Sequence, residues 1–145
     1  MRIPLTAPNL HAVDSLSDLR AKRKENQERD QAIGVADFWR SMMDEAVLLN
    51  DTSADFAQHD KKLIILDQTS SAPTSKGLAA YKHVSGELRL NEDDNRVESA
   101  FLEVDQTTFQ YKREGDTETF IENFPGLISK VVLDHRNNTL TWEDS

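Results

Sequence analysis

From Val97 onward the chain runs in short alternating segments whose joints are too brief to cross a sheet. Val97–Val104, Thr107–Arg113, Thr117–Glu122, Leu127–Asp134 and Thr139–Glu143 read as strands, joined by Asp105-Gln106, Glu114-Gly115-Asp116, Asn123–Gly126 and His135–Asn138. A parallel crossover needs about a dozen residues or more, so these joints admit only antiparallel neighbours. Upstream, Lys61–Asp67 reads as a buried strand, and Leu78–Val84 and Glu87–Leu90 as two more, parted by Ser85-Gly86. Gln68–Gly77 is a polar loop and Asn91–Asn95 a turn. The expectation is an antiparallel meander of six to eight strands over residues 61–143.

Alternation gives that sheet one buried face. Ala100, Leu102 and Val104 share a side, Phe109 pairs with Tyr111, and Leu140 with Trp142. The Leu127–Asp134 segment is apolar on both sides, as a central strand would be. Its cover comes from the N-terminal third. Val35, Phe38, Trp39, Met42, Met43, Ala46, Val47 and Leu49 recur at steps of three and four, an amphipathic helix over 35–49. Before Gly34, a separate helix from Asp14 or Ser15 to Gln31 has almost no apolar stripe after Leu19. Pairs such as Lys24–Glu28 and Glu25–Arg29 support it only weakly. The fold class expected is α+β, with an N-terminal extended and helical arm (1–31) followed by one α+β domain (32–145). Such an arm frays in isolation, so a neighbouring subunit or its own sheet must order it.

Charge divides along the same boundary. The net charge of −9 over 145 residues splits as +1 for 1–31, −2 for 32–85 and −8 for 86–145. A surface this acidic repels nucleic-acid phosphate and attracts basic protein patches, so direct nucleic-acid binding is not expected. With no cysteine there is no disulfide framework and no thiolate zinc site. No apolar run approaches the ~18–20 residues of a membrane span. The first residues, Met1 to Pro8, carry two prolines and no apolar export core, which favours the cytoplasm, with non-classical export or a virion left open.

Chemistry-bearing motifs are sparse. Asn91, Asp93 and Asn95 begin like a calcium loop, but Arg96 stands where glycine should and Leu102 where the closing acid should. His11, His59, His83 and His135 form no ligand pair, so neither metal nor cofactor is expected. Ser85, His135 and Asp134 allow a drawn triad without an elbow motif. Residues 72–77 hold Lys76 and hydroxyls but lack a glycine framework for phosphate. Glu98 or Glu103, flanked by apolar strand residues, could be raised carboxylates, and a pocket around His83, His135 or Glu103 would suit a small enzyme.

The expectation is therefore a non-enzymatic protein–protein interaction protein, a small acidic subunit of a larger assembly such as a virus-like particle or secretion-type complex. Its arm would contact a neighbour, in a complex with another protein or by self-association. The alternative is an acidic inhibitor or immunity-type protein that masks a basic site, imitating nucleic acid. Candidate contact residues are Arg20, Arg23 and Lys24 on the arm, Phe38, Trp39 and Met43 on the amphipathic helix, and the acids Glu92, Asp93, Asp94, Glu114 and Asp116. An exposed position for Phe38, Trp39 or Met43 would mark a contact surface.

Overall fold

A single helix, α1 (Leu16–Asp51), spans both helical segments of the sequence and passes through Gly34 without a break. The computed structural model describes residues 2–6, 16–51, 63–70, 77–91, 93–94, 96–124 and 127–144. Residues 54–59, where the sequence allows a short turn of helix, most of the 72–77 loop, His11, His59, Glu92 and Asn95 lie outside them. Glycine costs a helix about 1 kcal/mol against alanine. Ala32 and Ala36, both fully buried, hold the helix against the sheet on either side of Gly34 and offset that cost. The buried positions Ala32, Ala36, Trp39, Met42, Met43 and Ala46 form the expected stripe, and Arg29 extends it one turn earlier. No described helix is long and apolar enough to cross a membrane.

The strands are β1 (Arg2–Pro4), β2 (Leu63–Thr69), β3 (His83–Leu90), β4 (Val97–Val104), β5 (Thr107–Glu114), β6 (Thr117–Phe124), β7 (Leu127–Asp134) and β8 (Thr139–Asp144). They form one antiparallel sheet in the order β1-β8-β7-β6-β5-β4-β3-β2, a meander with β1 added beside β8. The α+β class and the strand count agree with the sequence. Inner-face rows run across the sheet in register. Leu88 pairs with Ala100, Ala100 with Tyr111, Tyr111 with Phe120, Phe120 with Val131 and Val131 with Trp142.

Eight strands side by side would make a flat sheet about 38 Å wide, whereas a helix is about 10–12 Å across. Yet Ile64 on β2 and Leu140 on β8 are as buried as Phe109 in the middle, and α1 packs against both β2 and β7. The sheet therefore curls around α1. Trp39 is the centre of that contact. Its indole stacks on Phe109 with ring centroids 4.2 Å apart and planes 3° from parallel, and Phe120 follows at 6.4 Å from Phe109.

Two local departures from the sequence reading have steric causes. Ser85-Gly86 does not split β3, because Gly86 carries φ 141, a conformation that keeps the strand paired where a side chain could not. A Cβ there would run into the Phe101 carbonyl oxygen on β4. Leu78–Ala80 is a 3-10 turn, not a strand. Gly77, at φ 67, leaves room for the Glu45 carboxylate of α1, which accepts the Leu78 N–H at 3.0 Å.

The described part of the arm docks on the chain's own sheet. Ile3 is buried opposite Leu140, Leu5 N–H donates to Asn138 O at 2.9 Å, and Arg29 Nε donates to Pro4 O at 2.7 Å. Arg29 is only 2% exposed, so this guanidinium ties α1 to β1 from inside the protein. Two glycine substitutions should part in sign. Gly86→Ala is expected to lower the urea-derived stability by about 3 kcal/mol through strain and overlap. Gly34→Ala, which meets nothing within 4 Å, should raise it by about 0.5–1 kcal/mol.

Candidate functional site

Where α1 leaves the end of the curled sheet, a cleft of about 870 Å³ remains, within the size range of ligand pockets. Val35, Phe38 and Trp39 of α1 form one wall. Val104 at the end of β4 and Phe124 at the end of β6 form the other, with Tyr81 and Lys82 preceding β3. Asp105 and Gln106, the β4–β5 turn, Thr107 after it, Glu122 of β6, and Gln31 and Gly34 of α1 complete the lining. Phe38 is 44% exposed and Phe124 49%, so two phenyl rings stand in water at this cleft.

The acids of the cleft are held in place. Glu122 Oε2 accepts the Trp39 Nε1–H at 2.8 Å. Asp105 sits at φ 52, tolerable for aspartate, and its Oδ1 accepts the His83 N–H at 2.9 Å while its own N–H donates to His83 O. Burial, then the charges of Asp105 and Glu122, push the Tyr81 phenol up, so Tyr81 stays neutral.

A second cluster lies further along α1. Glu118 is 5% exposed on the inner face. Its Oε1 accepts Arg40 Nη2 at 2.9 Å and lies 2.7 Å from His135 Nε2, and its Oε2 accepts the Tyr111 hydroxyl at 2.7 Å. Arg40 also covers the Phe120 ring at 5.5 Å. Burial pushes the Glu118 carboxyl up, but the hydrogen bonds of Tyr111 and His135 and the Arg40 charge prevail, leaving it below the usual range. Burial first, then Glu118 itself, pushes the Tyr111 phenol far up. A carboxylate kept charged, with both oxygens engaged, is suited to clamping α1 onto β5, β6 and the β7–β8 turn rather than to proton transfer.

The sequence-selected residues fall into three groups. Phe38 is exposed at the cleft, whereas Trp39 and Met43 are each 2% exposed and belong to the core, so the helix contact expected of all three narrows to Phe38. Arg20, Arg23 and Lys24 are exposed on the early turns of α1. Asp93, Asp94, Glu114 and Asp116 are exposed at one end of the sheet, where Arg113 pairs with Asp94 at 3.1 Å and Lys112 with Glu114 at 2.6 Å. Glu98 and Glu103 are exposed rather than set in an apolar surrounding. Ser85 on β3 and His135 after β7 are separated by three intervening strands, some ~19 Å of sheet, so no triad assembles. Among the described residues no three His, Asp or Glu side chains group as a metal-ligand set.

Glu118 and Glu122 escaped the sequence reading, although their phase carried a signal. Period-two alternation places both on the side of Phe120, toward the core. Tyr81, Asp105 and Phe124 reach the cleft only through the curl, which no local pattern records.

No protein-family model, curated protein or solved structure matches this chain.

Because the folded Glu118 carboxyl titrates below its ordinary value of 4.5, its stabilising contribution is present above that value and is lost as pH falls through the folded one. Glu118→Gln should lower stability at about pH 7 by about 2 kcal/mol, and the variant's urea midpoint should fall less steeply than wild type toward about pH 3. Equal slopes would show that Glu118 is not a source of the acid sensitivity.

Proposed function

We propose that the chain is a non-enzymatic protein-binding module, a small acidic subunit of a larger assembly, which meets its partner through the cleft beside Phe38. The observation that carries this reading is the pairing of an apolar cleft of about 870 Å³ with the exposed rings of Phe38 and Phe124. Covering the exposed half of each ring contributes roughly half of the ~1.5–3 kcal/mol of a fully buried phenylalanine, so the two together match one anchor side chain. A net charge of −9 draws a basic partner toward this surface. The arm is a weaker contact candidate than its sequence suggested, because β1 and Arg29 engage the chain's own sheet. Arg20, Arg23 and Lys24 remain exposed for a second, polar contact.

The inhibitor reading keeps one supporting observation, the gathering of Asp93, Asp94, Glu114 and Asp116 at one end of the sheet. The two surfaces are separable by mutation. Phe38→Ser should cost about 1 kcal/mol of stability, since a little over half of the residue is covered and its ring meets Trp39 edge-on, yet reduce retention of a native-source partner at least about tenfold. Neutralising the four acids should leave retention within about twofold at moderate salt. The reverse pattern would favour the inhibitor reading and reject the cleft.

A further inference from the structure

We propose that the group entering the cleft is an organic cation, a positively charged nitrogen on an apolar stem, presented by the partner as a lysine or arginine side chain among apolar residues. The inference rests on the reading of the cleft as the contact surface. Three aromatic side chains with accessible surface, Phe38, Tyr81 and Phe124, line the cleft beside the buried Trp39, and a cation over an aromatic face is attracted by the ring quadrupole. Two carboxylates, Asp105 and Glu122, stand among them against one ammonium, Lys82. The Tyr81 phenol is pushed up first by burial and then by the charges of Asp105 and Glu122, in keeping with a cleft that opposes added negative charge.

Glu122 is the specific partner for the incoming charge. It belongs to the inward row of β6, and Trp39 Nε1–H fixes its orientation at 2.8 Å, so the carboxylate is preorganised before anything binds. An anionic guest would meet both carboxylates. A neutral apolar guest would gain the rings but leave the Glu122 charge partly desolvated without a counterion. A basic side chain with an aliphatic stem satisfies rings and carboxylate together.

The test uses matched n-octyl probes, octylammonium, octanol and octanoate, titrated into the full chain with Trp142 replaced by Phe so that Trp39 fluorescence reports the cleft. Octylammonium should bind about tenfold more tightly than octanol, with octanoate weakest, and about 0.5 M NaCl should shrink the difference. Glu122→Gln retains an acceptor for the Trp39 N–H while removing the charge. It should cut the preference for octylammonium severalfold, with octanol bound as tightly as in wild type or more tightly. Phe38→Ala should weaken both. Octylammonium and octanol binding alike in wild type would overturn the cation assignment while the cleft remained a binding surface. Failure of all three probes to perturb Trp39 would overturn the assignment and the cleft reading together.

Discussion

Among the described residues one α-helix covers the inner face of eight strands, and much of this structure follows from the mismatch in width. The sheet resolves it by curling, so that Ile64 near one margin and Leu140 near the other share a core with Trp39. Within the sheet, Gly86 lets β3 approach β4 more closely than a side chain permits. A cylinder inside a curved sheet cannot fill it to the ends. The cleft is what remains where α1 passes beyond the stacked Trp39 and Phe109 rings, and its walls are apolar because they are the unfinished edge of the core.

The same economy explains the buried charges. The apolar stripe and the Trp39–Phe109 stack set which face of the helix meets the trough, but burial itself is non-directional. Directional contacts fix the position of the helix. Arg40 reaches Glu118 near the middle, Arg29 reaches the Pro4 carbonyl toward the start, and Glu45 reaches Leu78 N–H toward the end. Each joins α1 to a different element. These are polar bonds set among apolar neighbours, where leaving a partner unmatched costs more than the bond itself contributes.

Much of this architecture was legible. Val97–Val104 and Leu127–Asp134 match their strands residue for residue, because alternation and short joints leave little freedom. The helical stripe was legible for the same reason, a period that repeats. What stayed hidden was either singular or distant. Gly34 reads locally as an interruption, and only packing by Ala32 and Ala36 overrules it. Arg29 looks like one more solvated charge in a polar run, and only the return of β1 makes it a buried one. Glu118 and Glu122 carried the right phase on β6, but acids on a strand are ordinarily assigned to solvent. The cleft joins residues 31–39 with 81–82, 104–107, 122 and 124, a convergence of tertiary origin.

The position of α1 ahead of the sheet has a consequence for synthesis. Seven strands zip up by local hairpins in order, each pairing with the one just made, but the helix that they enclose leaves the ribosome before any of them. Until β3 to β6 exist, the stripe of Trp39, Met42 and Met43 has no surface to meet, and β1 waits longer still for β8. The apolar stripe of the helix therefore stays uncovered while about half of the chain, from the end of α1 to the end of β6, is made.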